Sequence, residues 1–448
     1  MINDKIVRLG RVYLWLIAGL VMLLGGVAAY LFLDREIFQV NPVLLLKLAQ
    51  ADLSQEQGDK AVSGDWPQWR GPNRDGLSGE TGLLTSWPEK GPKQLWEAKK
   101  AGAGYSSLAV AGGRAYCLLQ DGQEEAAVCW DAESGQELWR FKYPCEYKNS
   151  QGAGPRSTPT IDADRVYTVG ATGILHCLKT ADGNKIWRHD LTQEFSAAVP
   201  TWGVSFSPLI EGDLVLTNPG GTNGSSIVAF NKITGEVVWK NLDDPAAYSS
   251  PVAVAIDGKR QVLFFTSNSL VSVSHEDGAQ LWRYPWDTRF GANVATPIVV
   301  SHYVFISSNY DKGCALLDVS ASADGSWQAR PVYEHNRMRN HFSTSVYYQE
   351  HLYGFDDTTL VCMNFRTGKV LWKEKDFKKG SLLIADGKLI ILGESGTLAM
   401  AEATPAAYVK ISSFQFSRAK CWTVPVLANG RLYVRDEEKI VCLDVRGP

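Results

Sequence analysis

At 448 residues the chain exceeds one average domain but suits a single large repeat domain with a leading segment. Its net charge is only −3, which leaves no global basic surface for nucleic acid, and 45% apolar residues argue against a disordered chain. Eight cysteines include no Cys-x-x-Cys pair, so nothing suggests a zinc ribbon, a thioredoxin-like site or a c-type haem.

The first predicted element is an anchor. Val12 to Leu33 carries no charge, and about 20 apolar residues span a bilayer. Lys5, Arg8 and Arg11 precede the run, and Asp34, Arg35 and Glu36 follow it. The positive-inside rule then puts residues 1–11 in the cytoplasm and everything beyond 33 on the far side. The expectation is a single-pass protein of a bacterial inner membrane with its bulk in the periplasm or outside. The competing reading is a signal peptide cleaved at Val27-Ala28-Ala29, but Tyr30-Leu31-Phe32-Leu33 continues the apolar run past that point. Residues 34–64 read as a linker, polar from Gln55 to Gly64.

Residues 65–448 repeat. A glycine followed four residues later by tryptophan occurs at Gly135/Trp139, Gly183/Trp187, Gly235/Trp239, Gly278/Trp282 and Gly368/Trp372. The preceding Ser134, Asp182, Thr234, Asp277 and Thr367 suit tight turns in which glycine takes a positive φ. Strand-like runs such as Ile227-Val228-Ala229-Phe230 and Leu360-Val361-Cys362-Met363 lead into these turns. Each tryptophan then falls early in the next strand, where an indole can wedge between neighbouring sheets. Asp324-Gly325 with Trp327, and Ala399 with Tyr408, read as degraded copies.

The last copy ends at Ile440–Gly447 without a tryptophan, while Gln94-Leu95-Trp96 offers a tryptophan without its glycine. Together they complete one unit and would close a ring, removing free sheet edges. A second series, from Tyr105-Ser106-Ser107 through Arg156-Ser157-Thr158-Pro159 to Cys421-Trp422-Thr423-Val424-Pro425, also counts eight. The predicted fold is therefore an all-β, eight-bladed β-propeller of four-stranded antiparallel blades, preceded by one N-terminal transmembrane helix. Trp130-Asp131 is a literal Trp-Asp pair, but it aligns with Leu443-Asp444 on a third strand and has no Gly-His partner. Cys129, Cys177, Cys362 and Cys442 occupy matching repeat positions and read as small core residues. A Cys117–Cys129 disulfide across neighbouring strands is the other reading.

The turn-and-tryptophan pattern resembles the quinoprotein-like propeller repeat, shared by PQQ-dependent alcohol dehydrogenases and the outer-membrane assembly lipoprotein of the β-barrel machinery. Asp65-Trp66-Pro67-Gln68-Trp69-Arg70-Gly71-Pro72-Asn73-Arg74-Asp75-Gly76 is similar to the opening of bacterial PQQ-like repeat proteins. The resemblance covers about 65–448 and speaks to fold more than activity. For the dehydrogenases it implies PQQ, a Ca²⁺ ion held by acidic and amide side chains, a pair of adjacent cysteines and a catalytic Asp. This chain has no adjacent cysteines and no Glu/Asn/Asp set that maps onto theirs. None of its seven histidines lies in a Gly-x-Ser-x-Gly or His-Glu-x-x-His setting. Pro219 to Gly224 is glycine-rich but lacks the Lys-Ser/Thr of a phosphate loop.

Residues just before the innermost strands should line one mouth of a propeller's channel. They are Tyr105, Arg156, Trp202, Tyr248, Asn293, His341 and Trp422, with Arg339 and Lys420 nearby. Aromatic and arginine side chains are the usual anchors of binding surfaces. These nine residues are the predicted ligand or partner site; plugging the channel is their alternative role. His335, Arg337, Arg339 and His341 also form the densest basic stretch, a candidate anion site. The leading functional expectation is a non-catalytic scaffold that binds cell-envelope proteins, with no cofactor and no catalytic or metal residues. The alternatives are a PQQ-dependent oxidoreductase with Ca²⁺ and a module binding carbohydrate or envelope polymer.

Overall fold

The computed structural model describes residues 64–99 and 101–447. The predicted anchor at 12–33 and most of the linker lie outside the described residues, among which no helix is long and apolar enough to cross a membrane.

The described residues form eight antiparallel sheets in a ring. Blade 1 spans 109–144, blade 2 160–190, blade 3 209–241, blade 4 252–285, blade 5 298–335, blade 6 346–374 and blade 7 380–415. Blade 8 joins three C-terminal strands within 426–444 to Lys93–Lys99, with Trp96 opposite Cys442. The split closing blade expected from the sequence is therefore present. Its outermost strand comes from the other end of the repeat domain, so the ring has no free radial seam.

The repeat signature sets both the turn and the packing between blades. In blade 1, Asp131 Oδ1 accepts from the Ser134 amide at 2.8 Å and the Gly135 amide returns to Asp131 O at 2.9 Å. Gly135 sits at φ +73°, and a Cβ there would lie 2.6 Å from the Trp96 ring of blade 8. Glycine is needed for the backbone and for the approach of the neighbour's indole. Trp96 Nε1 in turn donates to Ala132 O, and Trp139, Trp187, Trp239 and Trp372 repeat the bond on the next blade. Truncating one such buried tryptophan typically costs about 3–5 kcal/mol.

In blade 4 Trp282 donates instead to Gln261 Oε1 of its own blade, and blades 5 and 7 lack the tryptophan. In blade 5 the position equivalent to the tryptophans is Tyr333, opposite Leu316, and its hydroxyl donates to Phe365 O. Trp327 follows the turn directly, opposite Ala321, and a long strand pair with a bulge at Leu316/Leu317 separates it from that position. In blade 7 the equivalent is Ser412, opposite Met400. Trp87, whose amide donates to Ser412 Oγ, and Phe414 fill that seam. Tyr408 lies before the outer strand and packs on Trp372 of blade 6. The Cys117–Cys129 pairing does not form either. Cys117 is level with Val128, and Cys129 with Tyr116, so the two thiols point to opposite sheet faces. All eight cysteines are buried, and burial pushes Cys129, Cys177 and Cys442 up to about 12.

Around the channel, hydroxyls stitch blade to blade. Ser207 Oγ accepts from the Thr158 amide, Ser250 Oγ from the Ser207 amide and Thr344 Oγ1 from the Thr296 amide. Ser249, Ser343, Ser381 and Ser107 donate to carbonyls of the next blade, the last closing blade 1 onto blade 8 through Val424 O. The Tyr105 amide bonds Pro155 O between blades 1 and 2.

A strap at 65–84 closes the channel from below. Trp66 bridges Val110 of blade 1, and Pro67 O accepts from Ile161 of blade 2. Arg74 donates to Ser207 O and Pro208 O before blade 3 and to Pro251 O before blade 4. Trp69 Nε1 donates to Thr296 Oγ1, and Arg70 to Thr344 O and Ser345 O. Leu77–Ser78 adds a parallel strand to blade 7, and Glu80 Oε2 accepts from Gly430 in blade 8. One short segment thus ties all eight blades. Burial lowers Arg70 to about 10 and Arg74 to about 9.

Candidate functional site

The opposite mouth is open. The segments entering the inner strands, together with the turn at Tyr310, line a funnel with a cavity volume of about 130 Å³. Tyr105, Arg156, Trp202, Tyr248, His341 and Trp422 all line it, as expected. Trp69 from the strap lies at the inner end of the same space, so the funnel is blind. Trp69, Gln151, Tyr310 and Phe342 were not anticipated. Tyr310 escapes a search confined to the residues before inner strands because it sits in the turn between the second and third strands of blade 5.

The aromatic rings form a continuous belt. Trp202 and Tyr310 lie 5.7 Å apart with planes 8° from parallel. Tyr310 meets His341, His341 meets Trp422, and Trp422 meets Phe342 at 4.9 Å and Tyr105 at 5.4 Å. Tyr248 packs on the other side of Trp202, its hydroxyl accepting from the Trp202 amide. Offset and edge contacts of this kind add roughly 0.5–1.5 kcal/mol each beyond area burial, which keeps the belt rigid. Phe290 extends it to the rim, 54% exposed, against both Trp202 and Tyr310.

Charge is sparse on this wall. Arg156 is the one ionised side chain lining it. Its terminal nitrogens donate to Gly154 O and Gly152 O, and its plane lies over Tyr147 at 4.7 Å and Tyr105 at 5.6 Å. Among the described residues no carboxylate comes within ion-pair distance of it. Burial depresses its pKa. Lys420 sits at the rim, 4.6 Å from the Trp422 ring, and bonds Gln151 O at 3.0 Å. That bond holds the hairpin of Lys148–Asn149 and Gly152–Ala153 over Tyr105. The nearby carboxylates are engaged: Glu437 accepts from Tyr105 Oη at 2.7 Å, Glu394 from Trp422 Nε1 at 2.7 Å, and buried Glu125, whose charge reaches Arg156, from Tyr143 Oη at 2.7 Å and the Ala171 amide at 3.1 Å. His341 is held neutral, its pKa lowered to about 4 by burial and by Lys379.

Two predicted residues are elsewhere. Asn293 is fully buried behind Tyr248, donating to Thr266 O and Trp286 O and accepting from Ser308 Oγ. Its amide is consumed in holding a loop. Arg339 turns outward to Asp356, Nε to Oδ1 2.6 Å, with Asp311 at 3.9 Å. The basic stretch around it does not converge. Met338 and Asn340 are buried, and His335 stacks on Tyr333 with planes 3° apart. An alternating backbone sends its cations in different directions.

A Ca²⁺ ion needs a convergent set of six or more oxygens, carboxylates among them. The funnel wall has no carboxylate, Gln151 is its one amide, and the described residues hold no group of three His, Cys, Asp or Glu placed for a metal. These residues do not fit a calcium-bound quinone of the dehydrogenase kind.

A family model described as outer membrane protein assembly factor BamB matches residues 123–374, more than half of the chain. The chain belongs to this family. Among solved structures it is similar to BamB from Moraxella catarrhalis, at 16% identity and a TM-score of 0.55, covering 79% of this chain and 98% of that one. It is also similar to the quinohemoprotein alcohol dehydrogenase from Comamonas testosteroni, at 12% identity and a TM-score of 0.61, covering 89% and 84%. A computationally designed protein, Ika8, matches at 11% identity and a TM-score of 0.54, covering 79% and 98%. No curated protein sequence matches. At these identities the likenesses establish the propeller alone, a fold that hosts both assembly factors and dehydrogenases.

Proposed function

We propose that this BamB-family propeller is a non-catalytic binding scaffold of the cell envelope, anchored by residues 12–33 and displayed on the extracytoplasmic side. The observation that carries this reading is the funnel's chemistry. It offers a rigid aromatic wall and one cation, and its one histidine, lowered to about 4, is a poor general base near neutral pH. The carboxylates of Glu437, Glu394 and Glu125 are occupied by hydrogen bonds, and the cysteines are buried. Aromatic side chains around one arginine are what binding hot spots are made of. The family's description as an assembly factor agrees with a partner-binding role.

The test is affinity capture with the full-length protein from its own membranes, comparing wild type with Trp202→Ala. A partner retained by the wild type and lost by the variant supports the reading. The competing reading, a quinone-dependent oxidoreductase, predicts a bound quinone spectrum and dye reduction after adding PQQ and Ca²⁺. That result would overturn the scaffold.

A further inference from the structure

We infer that the funnel receives the C-terminal end of a partner polypeptide, its carboxylate on Arg156 and its last, apolar side chain on the aromatic belt. This rests on the binding reading above and names what is bound. Three observations lead to it.

First, the funnel is blind. Trp69, fixed by its bond to Thr296, blocks the channel, so a chain cannot thread through and must either end there or double back. Second, the wall is complementary to one negative charge in an apolar setting. Arg156 is preorganised by two backbone carbonyls and stacked against Tyr105 and Tyr147, yet among the described residues no carboxylate pairs with it directly: Glu125 acts on it only through space, with both oxygens already bonded to Tyr143 and Ala171, and the Arg156 Nε–H makes no hydrogen bond. A desolvated guanidinium so placed gains most from an incoming carboxylate. Third, the apolar surface continues beyond the funnel. Phe290 and Val199 stand exposed, Phe290 against Trp202 and Val199 on the connection that carries Trp202. A small aromatic acid would occupy the interior and leave this rim unused. A chain end places its terminal residue inside and its preceding residues on the rim.

The probe is a fluorescein-labelled hexapeptide ending in valine and phenylalanine, titrated into the full-length protein by fluorescence anisotropy. It is compared with the same peptide bearing a C-terminal amide. A charge-assisted hydrogen bond in a partly desolvated site predicts that amidation weakens binding about tenfold or more. Arg156→Gln should lower the free acid to the level of the amide and leave the amide unchanged, whereas Arg156→Lys should keep part of the difference. Unchanged melting temperatures establish that the variants fold. Equal binding of acid and amide, or an acid indifferent to Arg156→Gln, overturns the inference. So does phenylpropionate binding as tightly as the peptide, because the rim would then contribute nothing. If neither peptide binds while Trp202→Ala still releases a captured partner, the chain-end assignment falls and the scaffold reading stands.

Discussion

The two mouths of the channel use the same residue type to opposite ends. Below, Arg70 and Arg74 are buried and saturated: Arg70 spreads over carbonyls of the strap and of the segment before blade 6, and Arg74 over carbonyls before blades 3 and 4 and the Gln68 side-chain oxygen. Above, Arg156 uses two carbonyls of its own hairpin and turns toward open space. Both strap arginines adopt positive φ, +62° and +57°, a cost for a non-glycine residue. The fold accepts that strain because each guanidinium replaces several hydrogen bonds that the carbonyls at the channel end would otherwise lack. An arginine that satisfies a fold is surrounded by acceptors. One that awaits a ligand has donors to spare.

The largest expected effect tests this contrast directly. Arg74→Met strands the carbonyls of Ser207, Pro208 and Pro251 in a buried site, at roughly 1–3 kcal/mol for each group left unpaired. Denaturant unfolding should show a loss of about 3 kcal/mol or more. Arg156→Gln should stay within about 1 kcal/mol of wild type, the range of a partly exposed polar substitution. If the two variants lose equal stability, the division between a structural and a functional mouth is wrong.

Trp69 belongs to both mouths, so its variants sharpen the boundary. Trp69→Phe keeps the floor but removes the bond to Thr296 and should cost about 1 kcal/mol. Trp69→Ala also opens the floor. It should cost roughly 2–3 kcal/mol, less than a fully buried tryptophan because the ring is only partly covered. It should also weaken any funnel ligand, which Trp69→Phe should not.

How much of this was legible beforehand divides along the same line. Eight blades and the split closing blade could be read off, because Gly135 and Trp96 and most of their counterparts repeat one turn geometry and one packing contact at a fixed spacing. Blades 5 and 7 misled because Tyr333 and Ser412 fill the tryptophan's place without its signature. The strap was visible as a motif at 65–76, but its reach across the ring was not. Arg70 and Arg74 bond backbone carbonyls, and every residue has one of those. At the funnel, position before an inner strand found six lining residues, but position says nothing of direction. Asn293 shares the position and Arg339 lies beside it, and they turn away toward Trp286 O and Asp356.

Acid should weaken the propeller through two histidines held neutral. His341 in the funnel is lowered to about 4 and His176, between blades 1 and 2, to about 3, each chiefly by burial. Both native values lie below the unfolded value of about 6.5, so the unfolded chain takes up protons first. This contribution to stability is complete above pH 6.5 and is lost as the pH falls from there toward 4. Melting temperature should therefore drop across that window. His176→Phe should flatten the drop while leaving peptide binding unchanged. His341→Phe should flatten it and alter the pH dependence of binding. A wild-type melting temperature that does not fall between pH 6.5 and 4 would contradict both assignments.

The smallest effect is the most telling about the upper mouth. Phe290 holds φ +65° and ψ 16° with its ring largely in solvent. A bulky aromatic residue pays roughly 1–2 kcal/mol for that conformation and gains little burial in return. Strain kept without a packing reward tends to mark a functional position. Phe290→Gly removes the strain but enlarges the unfolded ensemble and gives up the edge contacts to Trp202 and Tyr310. These terms nearly cancel, and the expected change is a stability equal to wild type or up to about 1 kcal/mol higher. Binding at the funnel should fall at the same time. Stability unchanged with binding lost would make the rim part of the recognition surface. Stability lost with binding intact would return Phe290 to the scaffold, as the upper mouth's equivalent of the strap arginines.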